Sequence, residues 1–173
     1  MLAFVILTHF IHHDKLRAMG LTAHEARASA EIILPVATVI YGAVVVSSVA
    51  VHRMIVAWPH PEALGRFAGY GVWCCFQQYL MQCYFFRRLQ AAIGNPHGSA
   101  LVVALMFGGA HVPNPVLMIA TTLGGLILSE VFACHPNIWP LALAQTAGGI
   151  LLAAVVPASL IHNMRVGPGY YTY

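Results

Sequence analysis

Three glutamines interrupt an apolar stretch long enough to cross a bilayer. The run from Gly71 to Arg88 carries Gln77, Gln78 and Gln82 and closes on Arg87 and Arg88. Gln145 lies in a later apolar run, and His111 in another. On a helix, Gln77 and Gln78 stand about 100° apart, whereas Gln78 and Gln82 share a face one turn apart. A buried amide without a partner costs roughly 2–7 kcal/mol in an apolar solvent, so these side chains are expected to face other helices or a polar cavity. A neutral amide neither takes a proton from water usefully nor binds a metal as an anion. Of the five residues, only His111 has an imidazole able to do either.

The remaining chemistry-bearing residues are scattered. His9-Phe10-Ile11-His12-His13 spells the H-x-x-H-H box of membrane di-iron enzymes, but it stands alone and is read as a polar cluster ending an apolar segment. His111 follows Gly108-Gly109-Ala110. Those small residues would leave room for a haem or chlorophyll-type pigment ligated by the imidazole, or would admit a second helix. The simpler expectation for His111 is a hydrogen bond to Gln77, Gln78 or Gln145. Glu130 is the one carboxylate well inside an apolar segment, and an arginine at the same membrane face is its expected partner. Cys74, Cys75, Cys83 and Cys134 form no C-x-x-C pair and are read as small buried hydrophobes, with neither a disulfide nor a zinc site implied.

The composition dictates the setting of these groups. The chain has 173 residues, 60% hydrophobic and 8% charged, with a mean hydropathy of +0.77. Soluble domains carry about 25% charged residues, so most of this chain belongs in lipid. A net charge of +3, spread along the sequence, gives no footprint for nucleic acid. No linker divides residues 1–173, which are read as one all-α integral membrane bundle. Met1 to Ile11 lacks a basic leader region and a cleavage site, and is read as part of the mature protein.

About five transmembrane helices and a short N-terminal amphipathic helix are expected. Met1 to Ile11 is apolar but short. Residues 14–31 read as the amphipathic helix, with Thr22 and Glu25 as a capping box. Ile32 to Trp58 is the clearest span, with Pro35 in its first turn and Trp58 at the interface. Phe67 to Phe86 carries the glutamines, and Arg87 to Ser99 reads as a polar turn. Ala100 to Ala133 is broken by Val112-Pro113-Asn114-Pro115 into a helix ending near His111 and another from Val116. Ile138 to Ile161 is the last span, and its Gly148-Gly149 pair favours close packing. Lys15, Arg17, Arg27, Arg87 and Arg88 collect on one side against Arg53, Arg66 and Arg165 on the other, which makes the first side cytoplasmic.

The order of motifs over roughly residues 67–150 resembles the CPBP family of intramembrane proteases, also known as the Abi or CAAX-protease and bacteriocin-processing family. That family shows Glu-Glu-x-x-x-Arg, then Phe-x-x-x-His, then His-x-x-x-Asn. Gln77-Gln78-Tyr79-Leu80-Met81-Gln82 stands at the first motif, Phe107-Gly108-Gly109-Ala110-His111 at the second, and Gln145 through Gly149 at the third. Both glutamates, the arginine and the second histidine are thus glutamine here, and the asparagine is glycine. The resemblance implies a degenerate, pseudoprotease-like member in a prokaryotic inner membrane, with a vestigial site at Gln77, Gln78, Gln82, His111 and Gln145. The expectation is a non-catalytic subunit of a larger membrane assembly, whose partners are other integral membrane proteins and lipids. An intramembrane hydrolase centred on His111 and a haem- or pigment-binding subunit are the alternatives.

Overall fold

The computed structural model describes residues 2–50 and 61–171. Among these every regular element is a helix, without a strand: α1 (Leu2–Ile11), α2 (Ala26–Ala50), α3 (Pro61–Gln78), a π-helical segment (Tyr79–Phe86), α4 (Arg87–Ile93), α5 (Pro96–Gly109), α6 (Pro115–Cys134), α7 (Ile138–Val155) and α8 (Ala158–Ile161). Short 3-10 turns follow at His162–Met164 and Gly167–Tyr171. Three helices, α2, α6 and α7, are long and apolar enough to cross a membrane. α3, the π segment and α4 run on as one rod, because Gln78, Phe86 and Arg87 all keep right-handed helical angles at the junctions.

Three asparagines start the later helices. Asn95 accepts from the amides of His97 and Gly98 at 3.0 and 3.3 Å, Asn114 from Leu117 at 3.2 Å, and Asn137 from Trp139 at 3.1 Å. Each satisfies amides that have no partner inside the helix. Pro96 and Pro115 follow directly, where a missing N–H costs nothing. Tight turns between capped helices then set antiparallel neighbours.

The bundle has two distinguishable ends. At one, the Arg87 guanidinium donates to the Ala18 carbonyl at 2.8 Å and the Ile138 amide to the Gly20 carbonyl at 3.1 Å. At the other, the Gly167 amide donates to the Val112 carbonyl at 2.8 Å. The core between them joins Met81, Cys83, Phe86, Val103, Phe107, Leu128, Phe132, Ile138 and Leu141, with Phe86 and Phe132 edge to face at 5.7 Å.

Several expectations are corrected. Residues 12–25 form turns rather than an amphipathic helix. Glu25 has φ +61°, so Thr22 and Glu25 make no capping box; Thr22 instead accepts from the His24 amide at 3.4 Å. α2 begins at Ala26, which puts Pro35 well inside it rather than in its first turn. The polar turn expected from Arg87 is helical to Ile93, and the chain turns at Gly94, with φ +72°. The last span stops at Val155, since Pro157 cannot continue it. Arg53 and Trp58 lie outside the described residues.

Candidate functional site

The helical rod carrying the glutamines packs against α7, and Gln145 is where they meet. Gln78 Nε2 donates to Gln145 Oε1 at 2.6 Å, and Gln145 Nε2 donates to Gln77 Oε1 at 2.7 Å. One amide on α7 therefore bridges two consecutive amides on α3, using both its donor and its acceptor. The face separation read from the sequence is what allows this: two side chains about 100° apart can flank a third between them. Gln78 is fully buried, and its Oε1 has no partner.

Gln82 goes elsewhere. It lies within the π segment, where the backbone no longer follows α-helical spacing. Its Nε2 donates to Ser129 Oγ on α6 at 3.1 Å, while its Oε1 is buried without a partner. The amides thus tie the rod to α7 through a pair of bonds and to α6 through a single one.

His111 joins neither group by any described hydrogen bond. It lies just past the C-terminal end of α5, with Nδ1 2.7 Å from the Phe107 carbonyl and 3.3 Å from Thr121 Oγ1. A carbonyl only accepts, so Nδ1 is the donor, and in the neutral ring Nε2 keeps its lone pair. The expected bond from His111 to a glutamine is replaced by one to its own helix end, four residues back.

The glycines do what their positions suggest. A Cβ on Gly108 would collide with Thr122 Oγ1 and sit 3.0 Å from the Met118 carbonyl, whereas Gly109 has open space. Gly108 is therefore the residue that lets α5 and α6 touch. At the Gly148-Gly149 pair the space beside the backbone is taken by hydroxyls, Tyr41 against Gly148 and Tyr70 against Gly149. Tyr41 donates to the Ala144 carbonyl at 2.7 Å. The asparagine expected at position 149 has given way to glycine, and a tyrosine from α3 fills its place.

The charged end holds what sequence reading left unassembled. Asp14 accepts from Arg88 and lies 2.7 Å from His9 Nδ1, with Arg87 at 3.8 Å. Burial alone would raise the Asp14 carboxyl, but the hydrogen bonds from His9 and Arg88 and the charges of Arg88 and Arg87 outweigh it and hold the group below its ordinary value. Glu25 is likewise lowered, first by its hydrogen bond with His135 at 2.8 Å. Glu130 pairs with His97 at 2.8 Å rather than with an arginine. The His9-x-x-His12-His13 box is not a unit: His9 turns to Asp14 while His12 and His13 are exposed. No group of metal-ligating side chains assembles among the described residues. The four cysteines are free; Cys74 and Cys83 are buried as expected, but Cys134 is exposed.

Asn114 lies in the break between α5 and α6, and Asn137 in the turn before α7. Both are fully buried. Asn137 Nδ2 donates to the Thr22 and His24 carbonyls at 2.7 and 2.8 Å, and Asn114 Nδ2 to the Ile161 and Arg165 carbonyls at 2.7 and 3.2 Å. The Asn-Pro dipeptide at Asn114-Pro115 marks the helix start; nothing local marks the distant tether.

Comparison with known proteins agrees with the motif order. No curated protein and no solved structure matches the chain. The family model for Rce1-like type II CAAX prenyl endopeptidases matches residues 61–151, which takes in the glutamine rod, α5 and α6, His111, and α7 through Gly149. With all-helical architecture, membrane-length helices and the motifs in order, the chain belongs to the Rce1-like family of CPBP membrane proteins.

Proposed function

We propose that this protein is a non-catalytic member of its family, a structural or assembly subunit of a larger complex in a prokaryotic cytoplasmic membrane. The observation that carries the reading is the Gln77–Gln145–Gln78 bridge. At the family's paired-glutamate and second-histidine positions stand three amides, hydrogen-bonded to one another across two helices. Such a bridge supplies no general base and no anionic ligand. It does hold helices together, at roughly 0.6–2 kcal/mol per bond in a membrane. The site's residues thus support cohesion in place of hydrolysis. Exposed apolar side chains along α2 and α6, such as Val39, Val46, Ile119 and Leu123, offer surface to lipid or to neighbouring membrane proteins.

Extraction of native membranes in mild detergent, followed by size separation and mass spectrometry, tests the proposal. Co-migration with a defined set of membrane proteins is expected. Migration as an isolated small bundle, together with cleavage of a prenylated peptide in reconstituted vesicles, would overturn it.

A second reading is an enzyme or cofactor-binding subunit centred on His111, favoured by one observation: its Nε2 lone pair is left available as a base or ligand by the bond from Nδ1 to Phe107. Under that reading, His111→Ala abolishes hydrolysis or removes a haem- or pigment-type absorbance band from the purified protein. Under the first reading it changes neither.

A further inference from the structure

We propose that the corner where α4 meets the turns after α1 is a binding site for a phosphate group, with Arg87 and Arg88 as its donors. The argument begins with charge. Two guanidiniums converge on one carboxylate, Asp14, whose side chain is only 7% exposed. Two guanidiniums against one carboxylate leave the corner with an excess of positive charge in a mostly covered place. Charges of this kind are retained where an opposite charge joins them.

The hydrogen-bond inventory points the same way. Each guanidinium offers five N–H donors in a planar fork. Arg87 gives one bond to the Ala18 carbonyl, and Arg88 serves the Thr8 carbonyl at 3.2 Å and Asp14. The Nε atoms of both arginines, donors both, are buried without a partner. The corner is therefore short of acceptors. A phosphate brings several acceptor oxygens in a geometry that matches the fork, and a phosphodiester brings the single negative charge that balances the sum.

The setting selects the ligand further. The Arg87 and Arg88 side chains remain 29% and 24% exposed, so their outer edges are open. Lys15 beside them is exposed. This is the end of a membrane bundle, at the depth where headgroups lie. Arg88 is also steadied over the Tyr84 ring at 5.8 Å, which limits the entropy lost on binding. The shared chemistry is a phosphate, from a lipid headgroup or from solution.

The full chain in mild detergent, titrated with phosphatidylglycerol and followed by native mass spectrometry, tests the site. One phosphatidylglycerol retained per chain is expected, with diacylglycerol of the same chain length not retained. Arg87→Gln with Arg88→Gln should weaken retention at least tenfold, the size of one lost charge-assisted bond. Arg27→Gln, which removes an exposed partner of Glu31, should leave it unchanged. Because the double variant leaves Asp14 unpaired, Arg88→Lys is the second test: it keeps the charge, loses the fork, and should weaken retention several-fold in a folded protein. Thermal stabilisation by inorganic phosphate equal to that by the lipid would assign the site to a free anion. Equal retention of phosphatidylglycerol and diacylglycerol, without stabilisation by phosphate, or undiminished retention by Arg88→Lys and the double variant, would overturn the proposal.

Discussion

At the scale of single residues, the energetics turn on amides and one carboxylate. Gln145 spends its donor on Gln77 and its acceptor on Gln78. Gln145→Leu removes both bonds and leaves the Gln78 amide buried with neither group satisfied. A loss of about 1–3 kcal/mol in detergent unfolding is expected. Gln77→Ala, which removes one bond from a half-buried position, should cost about 1 kcal/mol or less. Asp14 makes a distinct prediction. Its native carboxyl is held below the ordinary value, so its contribution is fully present above about pH 3.9, the unfolded value, and is lost as pH falls through the lowered native one. Thermal stability followed from pH 6 downward should drop through that acid window, and Asp14→Asn should flatten the drop while lowering stability at pH 6.

At the scale of elements, α5 and α6 pack closely where Gly108 has no side chain beside Thr122 and the Met118 carbonyl. Gly108→Ala must part the helices or move Thr122, and overpacking of this kind costs about 1–3 kcal/mol. Gly109→Ala meets open space and should be near neutral. The same contrast shows what could be read from the sequence. The Gly108-Gly109 pair announced a helix contact, but which glycine makes it depends on the rotation of α5 against α6. The proline-asparagine run placed the α5–α6 break correctly, since Pro113 and Pro115 restrict the backbone before them. The π segment was not legible: Tyr79–Phe86 has an ordinary apolar composition, and only its packing makes a rarer hydrogen-bond pattern pay. That shift takes Gln82 to Ser129, away from the Gln145 bridge joined by Gln78 four residues earlier. The failure at residues 14–25 has a different cause. Charged residues there suggest one polar helix face, but the two carboxylates pair across the bundle instead, Asp14 with Arg88 and Glu25 with His135.

At the scale of the whole molecule, Lys15, Arg17, Arg87 and Arg88 gather with the start of α2 at one end, as the sequence grouping expected. Cys134 is exposed and sits at that same end, next to His135, which pairs with Glu25. If the more positive end faces the cytoplasm, a membrane-impermeant maleimide should label Cys134 in inverted vesicles and leave it unlabelled in intact cells. Family membership was legible from motif order alone, because the helix carrying each motif keeps its place in the chain. The pairing of the glutamines was not, since which amide meets which is decided by side-chain contacts that no motif records. The two buried asparagines carry a consequence for how the protein is made. Asn137 anchors a segment translated more than a hundred residues before it, and Asn114 waits for carbonyls that leave the ribosome some fifty residues after it. The stretch from Thr22 to His24 therefore gains this anchor only once α7 is begun, and the start of α6 gains its tether only after Ile161 and Arg165 have been made. A nascent chain stalled before residue 137 lacks both tethers and should be cut by protease near Thr22 and near Asn114 more readily than the finished bundle. Synthesis through Arg165 closes the second tether, so the two tethers form in a fixed order.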